Sequence, residues 1–219
     1  MLDLDFSTLI SRIIVLLTAF SVHEFAHAWT ANYFGDNTPA SQGRLTLNPL
    51  AHLDLMGSLM LIVAGFGWAK PVPINPYALR RRSSAAVMWV SLAGPLSNLA
   101  MALLAAIPFR LNLVTSYQAI TDAYFGTQTL PTIPQFLWEF ISINLVLMLF
   151  NLIPLAPLDG EKILDFVLPP NFRGIFDAIR PYSWMILILL LFGLPMIGID
   201  VIGTLLRPPL IFLTGLLTG

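Results

Sequence analysis

Long apolar runs are the feature that most restricts how this chain can fold. A helix needs roughly 20 mostly apolar residues to cross a lipid bilayer. Four runs reach that length, at residues 9–31, 85–108, 136–155 and 182–206. Only 11% of the 219 residues are charged, whereas a soluble domain averages about 25%. We therefore predict an all-α, polytopic membrane protein with about four transmembrane helices, forming a single domain over residues 1–219.

Shorter segments complete the predicted fold. The apolar run at 55–66 is too short to span the membrane comfortably, so we predict that it is re-entrant. The apolar tail at 210–217 is predicted to lie at the membrane interface. Residues 44–47 and 70–74 carry β-type signals and are predicted to form small membrane-associated strands. Two prolines in the second stretch remove N–H donors and confine it to a sheet edge.

The positions of the basic residues predict the orientation in the membrane. Lysine and arginine concentrate in cytosolic loops. If the run at 55–66 re-enters, eight of the 11 basic residues share one face of the membrane. These eight are Arg44, Lys70, Arg80, Arg81, Arg82, Lys162, Arg173 and Arg180. We predict that this face is cytosolic and that both termini lie outside. The short, cysteine-free chain is typical of a prokaryotic plasma membrane, or of an organelle derived from a prokaryote.

Three ionisable residues lie inside the first apolar run, in the sequence HEFAH: His23, Glu24 and His27. A charge at the middle of a bilayer costs about 2.5–3.5 kcal/mol or more, so such residues indicate a functional site. Residues four apart share a helix face, so His23 and His27 can bind one metal ion, with Glu24 beside them to act on a water molecule. The alternative is a polar patch that packs one helix against another.

A catalytic zinc site usually needs a third protein ligand. The extended motif of the soluble zinc proteases would place glycine at 30 and histidine at 33, but the chain has Thr30 and Tyr33. There is no cysteine, so histidine and carboxylates must supply the ligand. The remaining candidates are His52, Glu139, Asp159, Glu161 and a few loop aspartates.

Asp159 is the strongest of these candidates. It lies in NLIPLAPLDG, residues 151–160, where Pro154 and Pro157 forbid a regular helix. Irregular backbone at membrane depth is tolerated where it is buried or lines a polar cavity. The predicted topology also puts Asp159 at the same depth as HEFAH. The alternative is that Asp159 only caps the helix that begins at Gly160.

HEFAH followed by NLIPLAPLDG resembles the site-2 protease family of intramembrane zinc metalloproteases, peptidase family M50. Further matching motifs are GRLTLNPLAHLD (43–54), FGWAKPVPINP (66–76) and AGPLSN (93–98), so the resemblance covers nearly the whole chain. It points to the compact branch, which has neither a PDZ domain nor nucleotide-sensing CBS domains. Such enzymes cut transmembrane segments of other membrane proteins.

The resemblance also implies roles for individual residues. One zinc ion would be held by His23, His27 and Asp159, with Glu24 as the general base that deprotonates the attacking water. Asn151 matches the family's asparagine that helps to hold the substrate or transition state. We expect the active site to open towards the cytosol, because the predicted topology places HEFAH in the cytosolic half of its span.

Four other residues are candidates for contacts with the substrate or the transition state. Val72 and Ile74 would line the extended stretch 70–74, which could receive an unwound substrate by strand addition. Alternatively, the two extended stretches pack only against each other. His52 could act on the transition state, support the site, or pair with Asp54 at the interface. Asn98 could form a hydrogen bond to the active-site helix, or it could only help to pack the helices together.

Two other functions compete with proteolysis. The first is a catalytically inactive relative that binds transmembrane segments, which the presence of Glu24 disfavours. The second is a metal-ion transporter, although inverted repeats and several acidic groups at mid-membrane are not evident. The expected partners are the lipid bilayer and a transmembrane protein substrate. A net charge of −1 gives no reason to expect nucleic-acid binding, and the sequence indicates no oligomeric state.

Overall fold

A computed structural model describes residues 6–57, 67–125 and 129–219 as a predominantly helical protein. The helices are α1 (Phe6–Tyr33), α2 (Thr38–Ser41), α3 (Pro49–His52), α4 (Pro76–Arg82), α5 (Ala86–Arg110), α6 (Ser116–Phe125), α7 (Ile133–Asn151), α8 (Asp159–Val167), α9 (Pro170–Ile179), α10 (Ser183–Ile188), α11 (Leu194–Met196) and α12 (Val201–Thr218). A 3-10 turn and a π-helical turn join α9, α10 and α11 into one helical segment, Pro170–Met196.

Five helical segments of the described chain are long and apolar enough to cross a membrane: α1, α5, α7, Pro170–Met196 and α12. The membrane-protein prediction is therefore confirmed. The first three segments coincide with predicted runs, although α7 ends at Asn151 rather than near residue 155.

The prediction of a single fourth span at 182–206 was wrong. Gly198 has a positive φ of 83°, a conformation that commonly ends a helix. Asp200 then caps α12 by accepting a hydrogen bond from the Gly203 amide at 2.8 Å. The apolar run is thus divided between two helices, and the tail at 210–217 belongs to α12 instead of forming a separate interfacial segment.

The predicted β-strands were also wrong. Neither 44–47 nor 70–74 is a strand, and the only β-pairing in the described residues is one antiparallel bridge between Leu53 and Ala69. The Lys70 carbonyl, which a neighbouring strand would have used, accepts a hydrogen bond from the Arg44 side chain. Of the run predicted to re-enter at 55–66, residues 58–66 lie outside the described part of the chain.

The chain divides into two compact units. Residues 1–19, 98–150 and 188–219 form one, here named the bundle unit, and residues 20–97 and 151–187 form the other, named the site unit. α1 contributes residues to both. The single domain predicted over 1–219 stays a prediction.

The bundle unit has an apolar core and a set of buried polar contacts. The core consists of Ala102, Ala106, Phe109, Ala119, Ile141, Leu145 and Met148. Asn98 on α5 donates a hydrogen bond to Asn144 on α7 at 2.9 Å, and both side chains are fully buried. This contact supports the packing interpretation of Asn98. Nearer the start of α1, Arg12 lies 3.2 Å from Glu139.

The site unit is organised around α1, α4 and the first turns of α5. Its apolar core consists of Ala31, Leu79, Ala86, Val87 and Val90. Asp36, which is 2% exposed, follows α1 and accepts a hydrogen bond from the Asn75 amide at 2.6 Å. The same core packs against Ile74. One end of the extended stretch 70–74 is therefore fixed beside the end of α1.

Candidate metal centre

Three potential metal ligands converge in the site unit: His23 and His27, one turn apart on α1, and Asp159, the first residue of α8. The Nε2 atoms of the two histidines are 3.0 Å apart. Oδ2 of Asp159 lies 3.2 Å from Nε2 of His23 and 3.3 Å from Nε2 of His27. Both histidines are buried, and the aspartate side chain is only 18% exposed.

This triangle has the dimensions of a zinc site. Zinc–ligand bonds of about 2.0–2.1 Å in a tetrahedral arrangement place the ligand atoms about 3.3 Å apart. The three observed separations lie within about 0.3 Å of that spacing. Oδ2 of Asp159 is also buried and has no hydrogen-bond partner among the described residues. A cation at the centre of the triangle would satisfy all three atoms.

The orientation of His27 is fixed by the backbone of α5. Its Nδ1 lies 2.6 Å from the carbonyl oxygen of Val90. A carbonyl only accepts hydrogen bonds, so Nδ1 carries a proton, and once Nε2 is deprotonated its lone pair is available to a metal. Such a contact behind a metal-binding histidine sets the tautomer and raises the basicity of the ligand.

Gly94 lies on α5 directly against the two histidines. A Cβ atom at this position would overlap Nε2 of both His23 and His27. Only glycine therefore lets α5 approach the ligands without filling the space beside them. The AGPLSN motif contains Gly94, but sequence reasoning assigned no role to this residue or to Val90.

The position of Asp159 depends on the irregular stretch that precedes it. A Cβ atom on Gly160 would collide with the carbonyl oxygens of Leu152 and Ile153, so the start of α8 packs directly on that backbone. The N-cap residue of α8 is Leu158, and no side chain caps the helix. The capping interpretation of Asp159 is therefore wrong, and its carboxylate faces the histidines instead.

Electrostatics keep Asp159 ionised. Burial alone would raise the pKa of its carboxyl, but the adjacent His27 and His23 lower that pKa below the usual range. Glu161, two residues further on, is 1% exposed and lies 2.7 Å from Nε of Arg180. This ion pair thus holds the first turn of α8 in place. Glu161, one of the candidate third ligands, is therefore paired with Arg180 and does not join the triangle.

Glu24 is adjacent to the triangle and contacts the extended stretch. Its side chain is buried, and its Oε2 accepts a hydrogen bond from the backbone amide of Val72 at 3.2 Å. The backbone of residues 70–74 therefore contacts the Glu24 carboxylate, although these residues do not form the predicted strand.

The other candidate residues lie outside the triangle. His52 is 1% exposed, and its Nε2 donates to the Thr46 carbonyl at 2.7 Å. Of the three interpretations of His52, pairing with Asp54 is not observed, because Nε2 of His52 is bonded to Thr46 and its Nδ1 has no hydrogen-bond partner among the described residues. Asn151 is the last residue of α7 and is half-buried. The triangle is the only metal-ligand group of three or more that the described residues form.

Comparison with known proteins agrees with this chemistry. Residues 11–194 match the family model described as Peptidase family M50. The chain belongs to peptidase family M50. It is 44% identical to the candidate zinc metalloprotease YwhC of Bacillus subtilis, over 81% of this chain and 78% of that protein.

More distant members of the family also match. The chain is 30% identical to the candidate zinc metalloprotease Rip2 of Mycolicibacterium smegmatis, over 80% of this chain and 64% of that protein. Rip2 of Mycobacterium tuberculosis strain H37Rv is 30% identical, over 80% of this chain and 63% of that protein. No solved structure matches the chain significantly. The protein is thus an integral membrane zinc metalloprotease of the site-2 protease family.

Proposed function

We propose that this M50 protein hydrolyses peptide bonds within or near transmembrane segments of other membrane proteins. The observation that carries the proposal is the convergence of Asp159 with His23 and His27, which flank Glu24 on a helix that is apolar enough to span a membrane. A buried group of this kind inside such a helix is costly without a function. M50 membership supplies the reaction class.

Each polar residue of the site has a distinct role in the proposed reaction. His23, His27 and Asp159 hold one zinc ion. When bound, zinc supplies Lewis-acid polarisation of a water molecule and of the substrate carbonyl. Glu24 takes a proton from the attacking water and later delivers it to the leaving amine. The Val72 amide donates a hydrogen bond to Glu24 and so orients its carboxylate.

Asn151 is proposed to donate a hydrogen bond to the oxygen on which negative charge develops. It ends α7, eight residues before Asp159. Removing one such donor from other hydrolases costs about 2.7–4 kcal/mol of transition-state stabilisation. The assignment rests on the match of Asn151 to the asparagine of the family motif.

A substrate helix must unwind before it is cut, because its backbone groups are bonded to one another. We propose that the stretch 70–74 receives the unwound segment. Pro71 and Pro73 have no N–H, and the amides of Lys70 and Val72 already donate to His52 and Glu24. The stretch therefore offers the substrate mainly carbonyl acceptors, while the side chains of Val72 and Ile74 contribute apolar contacts.

The proposed site opens towards the cytosol, since eight of the 11 basic residues lie in the same unit as the triangle. Lys70 and the three arginines of α4 are among them. Hydrolysis consumes water, which the cytosol would supply.

The proposal is tested with purified protein reconstituted in lipid and a panel of single-pass transmembrane peptides. Wild-type protein is compared with Glu24→Gln, and with chelator-treated protein before and after zinc is restored. We expect about one zinc per chain in both wild type and Glu24→Gln, with cleavage only by the zinc-loaded wild type. Peptide binding without cleavage would indicate an inactive relative, and zinc flux without cleavage a transporter.

A further inference from the structure

Arg44 is a charged residue that the proposed reaction does not use, yet only 4% of it is exposed. Its Nη1 donates to the carbonyl oxygen of Ala51 at 2.7 Å, and its Nη2 donates to the carbonyl oxygen of Lys70. The planar guanidinium thus joins two backbone segments that are 19 residues apart in the sequence. Only arginine has a rigid fork of donors that can bridge two carbonyls in this way.

Other contacts extend this connection along the chain. The Lys70 amide donates to the His52 carbonyl at 2.7 Å, and Leu53 forms its bridge with Ala69. Arg44 therefore holds the stretch at Lys70, two residues before the amide of Val72 that bonds to Glu24. At the far end, Asp36 holds the Asn75 amide.

The pKa of the Arg44 guanidinium indicates which acidic group lies nearby. Burial lowers this pKa from its ordinary value, and attraction to the Glu24 carboxylate opposes that change.

We propose that Arg44 is a positioning residue that fixes the stretch at Lys70 and thereby keeps the Val72 amide on Glu24. This inference rests on the proposed function, because it assigns Glu24 the role of general base. The guanidinium touches neither the ligands nor the reacting atoms. Its effect passes through the backbone from Lys70 to Val72.

The first test is amide hydrogen exchange, which needs no substrate. Arg44→Lys keeps the positive charge but loses the planar pair of N–H donors that bridges the Ala51 and Lys70 carbonyls. We expect the Val72 amide to exchange about tenfold faster in this variant, with about one zinc per chain retained. Arg110→Lys, at an exposed arginine of the bundle unit, is the matched control and should leave that exchange unchanged. Unchanged exchange in Arg44→Lys would overturn the proposal.

The second test is a double-mutant cycle on peptide cleavage. Val72→Pro removes the amide hydrogen directly, without touching Arg44, and Val72→Ala measures the loss that the side chain alone causes. We expect Arg44→Lys and Val72→Pro each to lower kcat by about 10- to 100-fold, with a smaller change in KM. Because both act through one hydrogen bond, the double variant should be no worse than the poorer single variant.

The outcomes separate this inference from the proposed function. Arg44 does not act through the Val72 amide if the two single reductions in kcat multiply in the double variant. The same conclusion follows if Arg44→Lys raises KM and leaves kcat unchanged. If Arg44→Lys does not fold, wild-type kcat in Val72→Pro would still refute the inference. In each case cleavage by wild type and its absence in Glu24→Gln leave the proposed function intact, whereas no cleavage by zinc-loaded wild type contradicts that function itself.

Discussion

The carbonyl oxygen of Val90 lies 2.6 Å from Nδ1 of His27 and joins α5 to the helix that carries two of the three candidate metal ligands. One turn further along α5, Gly94 leaves room for Nε2 of His23 and His27. α5 therefore contributes to the candidate metal centre through a backbone carbonyl and through the lack of a side chain. Four predictions follow from the contacts around this centre and in the bundle unit.

Gly94→Ala should weaken zinc binding, because the added methyl overlaps Nε2 of His23 and His27. We expect zinc affinity to fall by about 10- to 100-fold, the range found when groups that support metal ligands are altered. Gly174→Ala is the control, since nothing lies within 4 Å of a Cβ there. The measurement is zinc content after dialysis against a graded chelator. Equal zinc retention in both variants would contradict the described packing of α5 on α1.

Asp159→Asn should abolish stable zinc binding while the fold is kept, because it removes the negative charge without changing the shape of the side chain. Zinc per chain should fall from about one to a small fraction, and cleavage should fall with it. Asp177→Asn, at an exposed aspartate of α9, should keep full zinc. If the metal persists in Asp159→Asn but is lost from Glu161→Gln, the third ligand has been misassigned.

Val72→Thr should slow cleavage through substrate binding, since the hydroxyl weakens apolar contact but the backbone amide remains on Glu24. We expect kcat/KM to fall by about tenfold, mostly through KM, with normal zinc content. Val167→Thr at an exposed valine serves as the control. Ile74 is a poorer probe, because it packs on the apolar core of the site unit and a polar residue there would also lower stability. Rates equal to wild type in Val72→Thr would argue against docking of the substrate on this stretch.

Asn98→Ala should destabilise the protein, since it leaves the buried amide of Asn144 without its donor. Hydrogen bonds between membrane helices contribute about 0.6–1.7 kcal/mol, so we expect a loss of about 1 kcal/mol in the free energy of unfolding. Asn98→Ala and Asn144→Ala together should cost less than the sum of the two. Denaturant titration in detergent measures this. An unaltered stability combined with a raised KM would instead favour the substrate-contact interpretation of Asn98.

The convergence of the three candidate metal ligands could be predicted from the sequence because each carries a local signal. His23 and His27 are four residues apart, so they share one face of a helix. They also lie in an apolar run, where burying an ionisable side chain in the membrane costs free energy and therefore indicates a function. Asp159 follows two prolines that interrupt the helix, so an irregular stretch was predicted beside it, and the predicted topology put it at the depth of HEFAH; in the structure that stretch precedes Asp159, which begins α8. These signals do not depend on knowing which helices touch.

The supporting contacts could not be predicted, because they depend on tertiary packing. Every residue has a carbonyl, so nothing in the sequence singles out Val90. Small residues in AGPLSN indicate close packing, but not which helix they face. From the sequence, Arg44 is predicted only to set the membrane orientation. Its hydrogen bond to the Lys70 carbonyl depends on how the chain folds. That contact occupies a carbonyl that strand pairing of 70–74 would have used.

The break near Gly198 was missed for a different reason. Gly198, Ile199 and Asp200 occupy only three positions inside a strongly apolar window, so hydropathy continues across them. Helix termination there depends on one backbone angle and one capping carboxylate. Neither changes the average hydropathy of the run.

Gly94 has a consequence for the path of the substrate. A Cβ atom on Gly94 would lie 2.5 Å from Nε2 of His23 and closer still to Nε2 of His27, so a second polypeptide has no room between α5 and these nitrogens at that point. In the proposed reaction the scissile bond must therefore approach the histidines from a side that Gly94 does not cover.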